Sequence, residues 1–252
     1  MSTQFSAQRT TFRKLHESGH FIIPNPWDAG GARRLEKLGF KALASTSAGA
    51  AWSLGKEDGA LTLDEALGHL RMLCAATDLP VNADFEAGFA DSPEGVAANV
   101  SLAVDTGVAG LSIEDWSGHE IYPLPLAVER IRAARAAIDA SGQDVLLVGR
   151  SEGFRIDKVS INETIARLVA YADAGADVLY APWIVDRDEV KAVVEAVAPK
   201  PVNVLLHHPG VKVDELAAVG VRRFSVGARL ASYAWAAFEA AAISVRDEGH
   251  LP

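Results

Sequence analysis

Two acidic residues, Asp84 and Glu86, stand one residue apart in the stretch PVNADFEAGFADSPEG at residues 80–95. The pair follows a short apolar run that is typical of a β-strand, and a glycine comes soon after it. Neighbouring carboxylates near a core repel each other and lose solvation unless a positive group joins them. The spacing therefore indicates a cation site. The alternative is that Asp84 and Glu86 are turn or helix-cap residues ahead of SPEG.

Polar residues also stand at the ends of the other apolar runs. In chain order they are Asp28; Ser45, Thr46 and Ser47; Glu114 and Asp115; Arg150, Ser151 and Glu152; Tyr180; and Asn203, followed by His207 and His208. Several carboxylates on one rim favour Mg²⁺ or Mn²⁺, because these ions prefer oxygen ligands. No Cys and His set with the spacing of zinc ligands occurs in the sequence.

Arg150 is the strongest candidate among the basic residues. It ends the apolar run VLLVGR, where a guanidinium must meet a carboxylate or an anionic ligand. A structural ion pair with Glu152 or Glu114 is the alternative to a catalytic role.

These residues need a scaffold that brings strand ends together, and the chain has the pattern for one. The predicted strands are 20–25, 41–46, 79–85, 110–115, 144–150, 177–182, 201–206 and 222–227, and the predicted helices are 28–38, 62–77, 93–106, 124–140, 159–174, 187–198, 212–219 and 229–247. TLDE and SINE fit capping boxes at two helix starts. Eight β-then-α units predict an α/β protein with a (β/α)₈ TIM barrel, in a single domain over 1–252. A doubly wound open sheet is the alternative.

Composition limits the possible partners and the compartment. The 252 residues carry a net charge of −9 without a basic run, which argues against nucleic-acid binding. A single cysteine, Cys74, excludes an internal disulfide and favours a reducing compartment. No stretch reaches about 18 apolar residues, so we expect no membrane span and a cytoplasmic protein.

Five motifs in chain order resemble the isocitrate lyase/phosphoenolpyruvate mutase superfamily. They are NPWDAGGARRLEKLGFKAL, STSAGAAWSLGKEDGALTLDEAL, LPVNADFEAGFA, GVAGLSIED and VLLVGRSEGF, and together they span most of the chain. The resemblance implies a Mg²⁺-dependent enzyme that binds a 2-oxo or 2-hydroxy acid and cleaves or makes a C–C or P–C bond. By position, Asp84 is expected to bind the metal directly, with Asp58, Glu86 and Glu114 contacting it through water.

The same resemblance assigns the substrate contacts. The loop Ser45, Thr46 and Ser47 is expected to hold the substrate carboxylate, with the choice between Ser45 and Ser47 open. Arg150 would neutralise the charge that grows on an enolate oxygen. Further candidate substrate contacts are Trp27, Tyr180 and Asn203.

The chain also departs from the superfamily pattern. Glu86 replaces the second Asp of its acidic motif. The segment WSGHEIYPLPLAVERI replaces the lyase loop K-[KR]-C-G-H, so the cysteine acid/base of isocitrate and 2-methylisocitrate lyases is missing. The longer gating loop of the phosphonate enzymes is also absent. His119 is a candidate replacement acid/base, because imidazole titrates near neutral pH; an exposed loop histidine is the alternative.

Together these features predict a C–C lyase or decarboxylase of oxaloacetate-like or malate-like acids that forms an enolate-like intermediate. A phosphonopyruvate-type P–C mutase or hydrolase, a non-catalytic 2-oxo acid binder and an aldolase of the ketopantoate hydroxymethyltransferase type are the alternatives. The last predicted helix, 229–247, is rich in alanine and aromatic residues. In the superfamily this segment is typically exchanged between subunits, so we expect a homo-oligomer, a tetramer, with 229–247 at an interface.

Overall fold

The computed structural model of the chain describes residues 5–156 and 159–252. Its strands form one eight-stranded sheet with the order β1-β8-β7-β6-β5-β4-β3-β2, and each strand is parallel to its neighbours. The strands are β1 Phe21–Ile23, β2 Leu43–Ala44, β3 Val81–Asp84, β4 Gly110–Glu114, β5 Leu146–Arg150, β6 Val178–Tyr180, β7 Val202–Leu205 and β8 Arg223–Ser225. All eight predicted strands are present, each shorter than the apolar run that indicated it.

The two ends of the sheet, β1 and β2, come together and nearly close it into a barrel. The backbone N–H of Ala44 donates to the carbonyl of Pro24 at 3.0 Å. Beside this bond, the Asn25 side-chain amide donates to the carbonyl of Ser45 at 2.8 Å. These contacts join the strand ends that an open sheet would leave apart. The predicted (β/α)₈ barrel is confirmed, and the doubly wound alternative is wrong.

Helices surround this sheet. They are α1 Ser6–Leu15, α2 Ala29–Lys37, α3 Ser47–Ser53, α4 Leu63–Ala76, α5 Pro93–Val104, α6 Leu124–Ala140, α7 Gly153–Ile156, α8 Ile161–Asp173, α9 Arg187–Val197, α10 Val213–Ala217 and α11 Arg229–Glu248. The predicted capping box at Thr62 and Glu65 is present with both of its hydrogen bonds. Ser160 caps α8 by accepting from the N–H of Glu163. Helices α1, α3 and α7 were not predicted.

Helix α1 covers the N-terminal end of the barrel. Phe12 is completely buried there. It lies so close to Gly110 that a Cβ on this glycine would come within 2.8 Å of the phenyl ring. The Arg9 guanidinium donates to the carbonyls of Val108 and Val104 at 3.0 and 2.9 Å. Among the described residues this end is plugged, and the opposite end, where the strands terminate, opens to a ligand.

Two kinds of side chain fill the barrel interior. Successive residues of a strand point to opposite faces, so every second residue faces inward. Phe12, Ile23, Ala44 and Leu146 belong to one apolar cluster, whereas a buried polar set consists of Asn82, Ser112, Asn203, Arg223 and Ser225. Among the described residues, no helix has both the length and the hydropathy to cross a membrane.

Candidate active site

Two adjoining cavities open at the C-terminal ends of the strands. The inner cavity, of about 200 Å³, is lined near its mouth by Ser45, Thr46, Ser47, Asp58, Asp84, Arg150, Arg155, Tyr180 and Trp183, and deeper in the barrel by Asn25, Asn82, Ser112, Asn203, Arg223 and Ser225. The outer cavity, of about 460 Å³, is lined by residues that include Ser47, Asp58, Glu86, Glu114, Trp116, His119, Arg150, Glu152 and Arg155. Most of the predicted site residues therefore converge on these two cavities.

Arg150 is the centre of a cluster of acidic side chains. Its Nη1 lies 3.1 Å from Asp84 Oδ1 and 3.2 Å from Glu114 Oε2. Its Nε donates to Glu152, which is almost completely buried. Strand register explains part of the arrangement, because Glu114 and Arg150 are partners on the paired strands β4 and β5. Burial opposes the charge of Arg150, but Glu114, Glu152 and Asp84 together raise its pKa well above the usual arginine value.

The carboxylates around Arg150 exceed the positive charge available to them. We call Asp58, Asp84, Glu86 and Glu114 the acidic rim. Burial, followed by the charges of Asp84 and Asp58, raises the pKa of Glu86 to about 7. Burial raises the pKa of Glu114 well above its usual value, and the nearby acidic groups add to this. Asp58 lies at the edge of both cavities. Partial loss of solvation there, followed by the charge of Asp84, raises its pKa.

The acidic rim fits a hard divalent cation. The buried Oε1 of Glu86 has no hydrogen-bond partner among the described residues. Glu86 also has a left-handed backbone with φ of 46°, which is costly for a residue with a Cβ and is typical of functional turns. Within the described parts of the chain, no three Asp, Glu, His or Cys side chains are grouped as ligands of one metal ion. What suits an ion such as Mg²⁺ is the donor type of the acidic rim, because Mg²⁺ keeps several waters and is bound directly by only one or two carboxylates.

The serine loop is attached to the acidic rim through Asp84. The N–H and the hydroxyl of Ser47 donate to Asp84 Oδ2 at 3.0 and 2.9 Å. The hydroxyl of Ser45 instead accepts from the backbone N–H of Asp84 at 2.8 Å. Thr46 caps α3 through its hydroxyl, which accepts from Gly49 N. Ser47 therefore directs its polar groups at the acidic carboxylate, while Ser45 supports the backbone of β3.

Of the remaining predicted substrate contacts, Tyr180 and Asn203 reach the inner cavity and Trp27 does not line either cavity. Tyr180 is buried with its ring 5.4 Å from the guanidinium carbon of Arg150, and its pKa is raised to about 12, mainly by burial. The Trp27 carbonyl contacts His69 Nε2 at 3.0 Å. The Cβ of Trp27 packs so close to Gly49 that a Cβ on this glycine would come within 3.0 Å of it.

The histidine candidates occupy different places. His119 is exposed and lines the outer cavity. The ring of His207 packs against Trp183 with 4.3 Å between centroids, and His208 packs against His207. His207 lies in a separate groove with Trp52, outside the lining of the inner and outer cavities.

Asp28 and Asp115, although they follow strands, have structural contacts. Asp28 caps α2. Asp115 is buried and accepts from Ser151, from the N–H of Glu152 and from Tyr171. Neither carboxylate is available to a ligand in this arrangement.

Several cavity residues were missed by the sequence reasoning. They are Asn25, Asn82, Ser112, Arg155, Trp183, Arg223 and Ser225. A signal for part of this set exists, because Asn82 and Ser112 precede Asp84 and Glu114 by two positions. Residues two apart on a strand share a face, so these side chains had to point into the same barrel as the acidic rim.

Comparisons with known proteins agree with this geometry. The family model described as phosphoenolpyruvate phosphomutase matches residues 12–246. The solved structure of a lyase or mutase candidate from Burkholderia cenocepacia J2315 superposes with a TM-score of 0.95 at 48% identity, covering 99% of this chain and 91% of that chain. Oxaloacetate decarboxylase of Bradyrhizobium sp. (strain ORS 278) is 32% identical over 205 residues, which are 76% of this chain and 69% of that protein.

A further solved structure is an enzyme of the same superfamily. It is 2,3-dimethylmalate lyase, a PEP mutase/isocitrate lyase superfamily member, with a TM-score of 0.87 at 27% identity, covering 100% of this chain and 90% of that chain.

Proposed function

Because the chain belongs to the phosphoenolpyruvate phosphomutase family, within the isocitrate lyase/PEP mutase superfamily, we propose that it is a Mg²⁺-dependent enzyme acting on a small 2-oxo or 2-hydroxy acid. The proposed reaction breaks a C–C bond through an enolate-like intermediate, as a lyase or a decarboxylase of oxaloacetate-like or malate-like acids. The observation that carries the proposal is the acidic rim at the mouths of the two adjoining cavities. Two of its four carboxylates, Asp84 and Glu114, pair with Arg150. Relatives include an oxaloacetate decarboxylase and a dimethylmalate lyase.

Asp84 is the residue proposed to bind the metal directly, with Asp58, Glu86 and Glu114 contacting it through water. Mn²⁺ is the alternative ion, because it accepts the same oxygen ligands. When bound, a divalent cation supplies positive charge that stabilises an oxyanion developing on the substrate. The raised pKa of Glu86 supports this assignment, because a carboxylate that resists ionisation in the empty protein gains most from a nearby cation.

Arg150 and Ser47 are proposed to act on the organic acid. The Nη1 of Arg150 faces the cavity beside Asp84, where it can donate to an oxygen that becomes negative as the enolate forms. The N–H and hydroxyl of Ser47 lie at the same carboxylate and can orient the carboxylate of the substrate. His119 is the proposed proton donor or acceptor, since it lines the outer cavity where solvent exchanges protons.

P–C bond chemistry on a phosphonopyruvate-type acid is the second candidate. The match to the phosphoenolpyruvate phosphomutase family model favours it. The products distinguish the two candidates. Breaking the P–C bond of a phosphonate releases its phosphoryl group or moves it to another atom, whereas breaking a C–C bond of an oxaloacetate-like acid gives two products that both contain carbon. A protein that binds these acids without turnover is the non-catalytic alternative.

A homotetramer in which α11 forms an interface is the proposed assembly. Large apolar side chains of this helix face solvent, with Tyr233 70% and Phe238 64% exposed, and Ile243 50% exposed. Because these residues are five positions apart, they face different sides of the helix, and a helix that is apolar on several sides is typically buried by a partner. Light scattering on the purified chain tests the assembly, and a monomer at all concentrations would contradict it.

Turnover across a panel of acids tests the proposed function. We expect Mg²⁺-dependent product from oxaloacetate or a malate-like acid, and no product once EDTA removes the metal. Product from phosphonopyruvate alone would replace the first candidate by the second. Ligand-induced thermal stabilisation with every acid but no product from any would establish a binding protein instead.

A further inference from the structure

Arg223 is a buried cation in the barrel interior that is not neutralised by a carboxylate. It begins β8 and is only 3% exposed. Its Nε donates to Asn203 Oδ1 at 2.9 Å, and its Nη1 donates to Asn82 Oδ1 at 3.4 Å. Within 5–156 and 159–252, Arg223 makes no ion pair and its Nη2 makes no hydrogen bond. Burial lowers the pKa of Arg223 to about 10, and only Tyr180 opposes this shift.

Other buried arginines of the chain have a structural explanation that Arg223 lacks. Arg9 donates to two backbone carbonyls at the closed end of the barrel. Arg130 donates to three backbone carbonyls between β3 and α5. Arg223 instead lines the inner cavity and is held by two neutral amide side chains. A buried guanidinium without a counter-charge is costly to a protein, which leaves a ligand as the natural source of the missing negative charge.

The surroundings of Arg223 are polar and uncharged, and they hold its guanidinium in place. We call Asn82, Ser112, Asn203, Arg223 and Ser225 the floor of the inner cavity. The Oδ1 of Asn203 accepts a hydrogen bond from Arg223, and its Nδ2 donates to Ser225 Oγ at 2.9 Å. These two bonds fix the orientation of the Asn203 amide. The floor contains no acidic side chain. An anion that enters this space therefore meets a guanidinium held in place by strand-borne amides.

The floor lies at a definite depth below the acidic rim. Asn82 precedes Asp84 on β3, and Ser112 precedes Glu114 on β4, by two residues in each case. With a rise of about 3.3 Å per residue, two positions correspond to about 7 Å. Both levels belong to one continuous cavity. A short diacid can therefore place one end at the rim and its other carboxylate near the floor.

We propose that the floor around Arg223 binds the second anionic group of the substrate, a carboxylate remote from the 2-oxo or 2-hydroxy end, and thereby selects dianionic acids. This inference rests on the proposed function for the identity of the first end. It adds a specificity-determining residue outside the acidic rim and the serine loop. An ion pair between a guanidinium and a carboxylate in this buried setting is stronger and more selective than one at a surface.

Two ligands of the same chain length test the inference. 2-Oxobutyrate ends in a methyl group, whereas 3,3-difluorooxaloacetate ends in a carboxylate and also carries two fluorines on C3. The fluorines are common to the measurements on every variant, so the change in preference between variants reports the remote carboxylate. Calorimetry in Mg²⁺ should show that the wild-type protein prefers the diacid by at least about tenfold. In Arg223→Met this preference should fall by about tenfold or more while 2-oxobutyrate affinity is retained. Arg223→Lys should keep part of the preference.

Arg222→Met is the matched control, because Arg222 is the adjacent arginine and donates outside the cavity to the Gly19 carbonyl. It should keep the wild-type preference. Where Arg223→Met does not fold, Arg223→Gln carries the same comparison. An unchanged preference without the guanidinium would overturn the inference. The inference would also be overturned if Arg223→Met lost affinity for both acids equally and Arg223→Lys did not restore it. That result would mean that Arg223 has a structural role only.

A second measurement separates failure of the inference from failure of the proposed function. If neither 2-oxobutyrate nor 3,3-difluorooxaloacetate binds the wild-type protein in Mg²⁺, the proposed function fails. The floor is then probed with malonate in EDTA. Thermal stabilisation of the wild type and Arg222→Met, but not of Arg223→Met, would uphold the anion site by itself. No stabilisation of the wild type by malonate or by the diacid would reject it.

Discussion

At the rim of the cavity, four carboxylates crowd around the guanidinium of Arg150, whereas at the floor one guanidinium, that of Arg223, is surrounded by amides and hydroxyls. The rim therefore has surplus negative charge and the floor surplus positive charge. Each surplus costs stability in the empty protein, and neither is needed to close a barrel. The difference indicates a site shaped for two unlike charges at once, a cation at the mouth and an anion below it.

Replacing Asp84 by Ala should have the largest effect on the rim. We expect Mg²⁺-dependent turnover to fall to background, because the residue proposed to bind the metal directly is lost. The fold should persist, since removing one carboxylate from a crowded set relieves repulsion. Steady-state assays with Mg²⁺ titration and thermal melts measure both. Asp78→Ala, an exposed acid at the opposite end of β3, should leave turnover unchanged; an active Asp84→Ala enzyme would remove Asp84 from the metal site.

Replacing Arg150 by Met tests whether the cation of the rim acts on the substrate or only balances the acids. We expect turnover to fall by about a thousandfold, the upper range for the loss of one preorganised donor to an oxyanion. Mg²⁺ affinity should not weaken in parallel, because the carboxylates remain. Rates at saturating Mg²⁺ together with metal titration distinguish the two roles. Wild-type turnover in Arg150→Met would leave Arg150 as a structural ion pair.

The rim could be predicted from the sequence, whereas of the floor only Asn203 was. Asp84, Glu114 and Arg150 come directly after apolar runs, so parallel strands had to bring them to one edge. Asn82 and Arg223 lie within runs whose apolar neighbours face the helices, and a single polar residue in such a run has several explanations. The face to which such a side chain points can be interpreted only once the barrel is known to be closed, because every second side chain of each strand then points to its centre.

Local helices were the other part that sequence patterns did not reveal. Helix α1 is held by Phe12 against Gly110 and by Arg9 on carbonyls far along the chain. It has no side-chain cap at its N-terminus, so the sequence lacks a start signal and tertiary contacts supply much of its stability. Helix α3 is too short for periodicity to show. The eight predicted helices follow apolar runs in the regular β-then-α order, and several have capping residues that mark their starts.

His119 should contribute less than Arg150, and its effect should differ in kind. We expect His119→Gln to lower turnover by about a hundredfold, the lower end for loss of a general acid or base. The pH dependence of the rate should change as well, because the variant replaces an ionisable imidazole by an amide that does not ionise. Glu120→Gln, on the same exposed loop, serves as the control. An unchanged rate and pH profile would assign His119 to the loop surface.

The smallest expected effect concerns the stability of the metal-free protein. The pKa of Glu86 is about 7 in the folded chain, above the usual carboxyl value, so the folded state binds more protons than the unfolded state between these two values. The buried His16, whose pKa is lowered to about 3, opposes this trend in the wild type and in Glu86→Gln alike. Relative to Glu86→Gln, the wild type in EDTA should therefore gain stability as the pH is lowered from about 8 to about 5, by about 1–2 kcal/mol. Mg²⁺ should oppose this trend, adding most stability at the higher pH, where Glu86 is ionised.

Urea unfolding at several pH values with EDTA or Mg²⁺ measures this dependence. In EDTA above pH 7, Glu86→Gln should unfold at higher urea than the wild type, and this difference should shrink toward pH 5. Glu17→Gln, an exposed acid, should follow the wild type. The contribution of Arg223 to stability should not change in this range, because Arg223 stays protonated well above neutral pH. A difference between the wild type and Glu86→Gln that does not depend on pH would mean that the charge of Glu86 is already compensated, and the charge contrast between rim and floor would lose its physical basis.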